Sequence, residues 1–195
     1  MLITDLEQNP DRVIVLTWDN TLNRPKLYNT TKKGLSNLNP IRYYQEPIGT
    51  RSKIIRMMSV DIKVGDGTFK NGIADFNFSR IHSMFPKWAY DILLRSLMRK
   101  RNGASSDSIV CGQIDNLNLP TFTFSSDNKM AFTLSYTNYC MRNTDDGRCY
   151  LVVQPNSNKS FWVIGAAFVK TQNVVLRKSS LFHPETFHHG ISSSA

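Results

Sequence analysis

Phe161-Trp162-Val163-Ile164-Gly165-Ala166-Ala167-Phe168-Val169-Lys170 is the stretch whose reading decides the fold of this chain. Residues 161–169 carry no charged or hydrogen-bonding side chain except the Trp162 indole, and they are bounded by Lys159-Ser160 before and Lys170 after. A membrane span takes roughly 18 to 20 consecutive apolar residues, so this run is too short to cross one. It reads instead as a buried strand, Trp162 to Ile164, running into Gly165.

Working outward, the chain is a succession of short β-rich runs at 12–18, 41–45, 54–64, 73–78, 121–124, 130–134, 149–153 and 174–177. Aromatic and β-branched residues recur in them, and turn residues separate them, which predicts a mainly β protein. Asp66-Gly67 and Asn71-Gly72 are the strongest turn signals, the first predicting a tight connection between 58–64 and Thr68-Phe69. Residues 86–101 depart from the pattern. Pro86 suits a first helical turn, and Trp88, Ala89, Ile92, Leu93 and Leu97 recur at helical spacing, so one amphipathic helix is predicted there. Arg99, Lys100 and Arg101 oppose the negative end of its dipole, and Gly103 is a stop signal. Without internal repeats, residues 1–180 read as a single domain and 181–195 as a tail whose small polar end frays.

The chain has 195 residues, 41% of them hydrophobic, and 24 Lys and Arg against 15 Asp and Glu give a net charge of +9. Such a composition fills a core and excludes disorder for most of the chain. The N-terminal residues turn acidic and polar before a signal-peptide core could form. The basic clusters, Lys32-Lys33, Arg95, Arg99-Lys100-Arg101 and Arg177-Lys178, are scattered and lack any nucleic-acid-binding signature, so a soluble basic surface is the favoured reading. A basic nucleic-acid-binding β domain stands as a lesser alternative, marked by affinity that falls steeply with salt.

Cys111, Cys140 and Cys149 show neither a CxxC pair nor zinc-ligand spacing, and oxidation would join two and leave one thiol. His82 is isolated, and His183, His188 and His189 have only Glu185 as an acidic neighbour, so no metal and no cofactor is expected. Asn29-Thr30-Thr31, Asn77-Phe78-Ser79 and Asn158-Lys159-Ser160 match the N-glycosylation acceptor pattern, which matters only in a secreted chain.

Three anchors stand in a telling order: Cys111-Gly-Gln-Ile-Asp-Asn-Leu-Asn-Leu-Pro-Thr-Phe-Thr-Phe124, then Tyr139 through Asp146-Gly147-Arg148-Cys149, then residues 161–170 followed by Val174-Val175-Leu176. Together they resemble the C-terminal lobe of a pepsin-like aspartic protease of the nepenthesin and pepsin type. Tyr43-Tyr44 and Met58-Ser-Val-Asp-Ile-Lys-Val-Gly65 resemble the strand and hairpin that precede the catalytic loop of that lobe, and they lead into Gly72-Ile-Ala-Asp75-Phe76-Asn77-Phe78-Ser79. The resemblance implies a lobe of six-stranded sandwich or barrel type with short helices. It also implies a disulfide between Cys111 and Cys149, with Cys140 left as a buried thiol. In the family a strand threads beneath the catalytic loop, so a side chain at Gly165 would collide with the crossing backbone.

The departures are as informative. The family reads Asp, Thr or Ser, Gly, Thr or Ser at its loop; here only Asp75 and the more distant Ser79 survive, with Phe76, Asn77 and Phe78 between them. Phe76 cannot make the hydroxyl hydrogen bonds that lock the loop, and Asn77 fills space that glycine leaves open. Aspartic proteolysis needs two carboxylates sharing a proton, and this chain offers one candidate. The resemblance with these departures implies a pseudoenzyme lobe acting as a protein-binding or structural module. A surface around Asp75, Phe76 and Phe78 is expected to be exposed and apolar and to meet a protein partner: a second copy, a separate N-terminal lobe or an unrelated protein. The alternative is one half of a two-chain or homodimeric aspartic endopeptidase using Asp75. A Cys111–Cys149 disulfide would place the chain in the secretory pathway or outside the cell. Met1 falls where the interior of a longer protease is expected, so the missing leader does not bear on compartment.

Overall fold

The computed structural model describes residues 12–31, 33–37, 42–44, 55–99, 108–111, 118–126, 129–143, 145–178 and 187–193. In chain order the strands are β1 (Arg12–Asp19), β2 (Arg24–Thr31), β3 (Arg42–Tyr44), β4 (Ile55–Val64), β5 (Gly67–Phe76), β6 (Ser83–Pro86) and β7 (Ser108–Val110). They continue as β8 (Phe122–Ser126), β9 (Lys129–Leu134), β10 (Cys140–Arg142), β11 (Arg148–Leu151), β12 (Val153–Asn156), β13 (Phe161–Ile164), β14 (Gln172–Lys178) and β15 (Phe187–Ser193). Helix α1 spans Lys87–Arg99 and the single turn α2 spans Tyr136–Tyr139. The protein is mainly β, as its alternating runs predict. It divides into two compact units, residues 1–56 with 169–195, and residues 57–168.

The first unit is a five-stranded antiparallel sheet in the order β2-β1-β14-β15-β3. Val13, Val15 and Val175 form its buried cluster, and Leu35 packs against it. The β1–β2 turn is built by Asp19, whose Oδ1 accepts the N–H of Thr21 at 3.0 Å and of Leu22 at 3.1 Å. Residues 187–193 belong to the tail in the sequence reading, yet they pair with β14 from Lys178↔Phe187 to Gln172↔Ser193. Backbone ladders need no apolar side chains, and composition therefore hides such a strand. Ile191 is its buried anchor.

The second unit carries a seven-stranded sheet, order β12-β6-β13-β5-β4-β8-β9, and a three-stranded sheet, β10-β11-β7. The β4–β5 connection is tight as predicted, with Gly65 at φ +55°. Asn71-Gly72 does not form the expected turn. It lies inside β5, where Asn71 takes φ +57° and donates its N–H to Asp61 Oδ1 at 3.3 Å. Asparagine tolerates the left-handed region, so a turn signal here produces a local irregularity within a strand. The Cys111–Cys149 disulfide ties the end of β7 to β11, and Cys140 is a buried thiol.

Pro86 closes β6 and α1 starts one residue later than its proline suggests. Ala89, Leu93 and Leu97 bury its apolar stripe, each leucine contributing about 1.5–3 kcal/mol on full burial. Trp88 anchors the helix further: its Nε1 donates to the Lys159 carbonyl at 2.9 Å and its ring stacks on Phe69. The exposed Lys87–Asp91 pair at 2.9 Å adds only a few tenths of a kcal/mol. Lys100, Arg101 and Gly103 lie outside the described residues. Among the described residues no helix is long and apolar enough to cross a membrane.

Candidate functional site

β13 is the axis of the site. It runs parallel to β5, with Trp162↔Ala74, Val163↔Asp75 and Ile164↔Phe76 in register, and antiparallel to β6 through Val163↔Met84. Strand residues alternate between faces. Ala74, Phe76, Trp162 and Ile164 are buried on one face, where Trp162 meets Phe85 at 4.7 Å, Phe124 at 5.0 Å and Phe122 at 5.3 Å between ring centroids. Trp162 Nε1 has no hydrogen-bond partner among the described residues. Ile73, Asp75, Phe161 and Val163 occupy the other face.

After β5 the chain crosses over β13 and returns as β6. Asn77 donates its N–H to the Ile164 carbonyl at 2.9 Å, and Ala166 donates to the Arg80 carbonyl at 2.8 Å. Between them, Gly165 N–H donates to the buried Ser83 Oγ at 2.9 Å. A Cβ built on Gly165 would stand 2.5 Å from the His82 carbonyl oxygen and 2.6 Å from its carbon, with the Ile81 carbonyl oxygen closer still. Gly165 does not have a positive φ, so glycine serves here by its lack of volume. Ser83 carried no sequence signal, because its partner lies 82 residues away.

Asp75, the next-to-last residue of β5, is 4% exposed beside this crossing. Phe76 follows it and turns the opposite way, 3% exposed, with edge-on contacts to Phe132 at 5.4 Å and Phe168 at 5.5 Å and a tilted one to Phe78 at 5.9 Å. The expected exposed apolar surface formed by Asp75, Phe76 and Phe78 is therefore corrected. Asp75 and Phe76 are buried, and the aromatic cluster takes up the Phe76 ring because packing it there removes apolar surface from water. Asn77 Oδ1 accepts the Ser79 N–H at 3.2 Å and its hydroxyl at 2.6 Å, closing the loop on itself.

The row that contains Asp75 continues across the sheet through Val163, Met84 and Gln154, the last paired with Met84 in the β12–β6 register. Arg80 spans it: its Nη2 donates to Gln154 Oε1 at 3.1 Å and its Nη1 approaches Met84 Sδ at 3.2 Å. Ile73, Phe161, Val163 and Met84 are half-buried on or beside this row. Among the described residues no cluster of three or more His, Cys, Asp or Glu could hold a metal ion.

A parallel strand pair lies under a crossing loop, with Gly165 beneath it and Asp75 beside it, in a mainly β chain. The family model described as eukaryotic aspartyl protease matches residues 54–180, and the chain belongs to that family. Comparison with curated proteins gives no match. The Cys111–Cys149 disulfide and the family both fit a secretory or extracellular location.

Proposed function

We propose that this chain is a non-catalytic pepsin-like lobe that serves as a protein-binding or structural module. The observation that carries the reading is Phe76. The residue after the aspartate, which the family uses as a hydroxyl to position the carboxylate, is here an aromatic ring buried against Phe132 and Phe168. A ring cannot orient a carboxylate, and one carboxylate cannot act as both acid and base on a bound water. The half-buried side chains Ile73, Phe161, Val163 and Met84 on the Asp75 face support a protein partner there, since apolar side chains gathered on one sheet face favour association.

The second reading is half of a two-chain or homodimeric endopeptidase. The buried Asp75 at an intact strand crossing favours it, because a second lobe could bring the missing carboxylate. One experiment separates the two. The purified chain, with its native mass determined and any co-purifying chain identified, is offered a peptide library between about pH 3 and pH 6, around the titration of an aspartate pair. No cleavage is expected, and Asp75→Asn should alter stability or association rather than turnover. Cleavage blocked by a statine-type inhibitor and abolished by Asp75→Asn would establish the half-enzyme instead.

A further inference from the structure

The three glycosylation acceptor triplets differ sharply in their surroundings. Asn158 lies on the exposed loop between β12 and β13. Its Oδ1 accepts both the backbone N–H of Ser160 at 3.0 Å and the Ser160 hydroxyl at 3.2 Å, and no hydrogen bond engages its Nδ2 among the described residues. The loop is pinned from inside the fold, by Trp88 on the Lys159 carbonyl and by the Ser160 carbonyl accepting the Ile73 N–H at 2.8 Å. The Asn158 side chain is thus carried at the surface by an anchored backbone.

The other two lack this combination. Asn77 shares the hydroxyl contact through Ser79, but it is half-buried and its backbone is bonded to Ile164 at the strand crossing. Asn29 is exposed but lies on the edge strand β2, paired with β1 opposite Ile14, and the Thr31 hydroxyl accepts the Gly34 N–H at 3.4 Å, with no hydrogen bond to Asn29 among the described residues. A glycan added during synthesis must remain in water when the chain folds, and a half-buried attachment point opposes that.

We infer that Asn158 is an N-glycan attachment site and that the glycan covers the β12–β13 loop of the second unit. The co-reactant is a lipid-diphosphate-linked oligosaccharide in an oxidising lumen. The Asn158 Nδ2 forms a bond to the anomeric carbon, and the bond from that carbon to the diphosphate oxygen breaks. The lipid diphosphate leaves with the electron pair, and the amide loses one proton to the transferase. The inference rests on the compartment that the disulfide implies and is independent of whether Asp75 is catalytic.

The test uses the full chain behind a cleavable leader, translated in the presence of microsomes, with glycosylation scored only on protease-protected, translocated molecules. The expected result is a mobility shift removed by an amide-releasing glycosidase, lost in Asn158→Gln and in Ser160→Ala, and retained in Asn77→Gln and Asn29→Gln. Occupancy is scored on translocated molecules that have formed the Cys111–Cys149 disulfide, so that chains whose glycan opposes folding are left out. Translocated chains without a shift, or a shift that persists in Asn158→Gln, would overturn the assignment.

Discussion

Gly165 is confined to glycine by backbone atoms. The carbonyls of Ile81 and His82 occupy the space a Cβ would need, and both belong to the crossing loop, which is itself bonded to Ala166 and Ala167. A flexible side chain could move aside; a doubly anchored backbone cannot. Gly165→Val should destabilise by at least the ~1–3 kcal/mol typical of overpacking, measured as a lowered denaturant midpoint. A midpoint unchanged from wild type would show that the crossing relaxes freely. At this scale the sequence pointed to Gly165, inside the apolar run 161–169, and to Asp75, in the segment 72–79, only through the family resemblance. Ser83, Arg80 and Gln154 were illegible, because a serine or an arginine in a loop carries no mark of the partner it will meet.

At the scale of elements, β7 and β11 are short strands that a covalent bond helps to hold. The disulfide joins residues with a sequence separation of 38 at a corner of the three-stranded sheet. Closing a loop of that length restricts the unfolded chain, and the Cys111→Ser/Cys149→Ser variant should lose about 3–4 kcal/mol on the entropic account. Chemical denaturation of oxidised, reduced and doubly substituted protein checks this. The reduced and substituted forms should agree with each other and fall below the oxidised one. The strands legible in the sequence were those with their own apolar alternation, such as β1, β4 and β13. β2, β6, β7, β10 and β15 were not read, because their segments lack a run of apolar and β-branched residues of their own and become strands by pairing with neighbours.

For the whole molecule, one buried phenol links stability to pH. Tyr139 donates its hydroxyl to the Pro120 carbonyl at 2.7 Å. Burial, with a smaller contribution from neighbouring Cys140, pushes its pKa far above the ordinary tyrosine value. The folded state therefore holds this proton more tightly than the unfolded chain. Its contribution is complete below the unfolded value of about 10 and is lost progressively as pH rises above it. Unfolding free energy measured on both sides of that pH should fall on the alkaline side. In Tyr139→Phe the alkaline loss should be smaller, while stability near neutrality drops by about 1 kcal/mol for the hydrogen bond removed. An equal alkaline loss in the variant would assign the effect to other tyrosines. The sequence by itself determined the β character, the amphipathic helix, the family and the phenylalanine, which carries no hydroxyl, after Asp75, because each is written in residue types and their local spacing. Only the tertiary structure decided that Phe76 turns into the aromatic core, that Ser83 caps the glycine under the crossing, and that Asn158 is exposed while Asn77 is half-buried. Those outcomes depend on which distant segments meet, and burial and hydrogen-bond partnership are properties of that meeting rather than of any single stretch of chain.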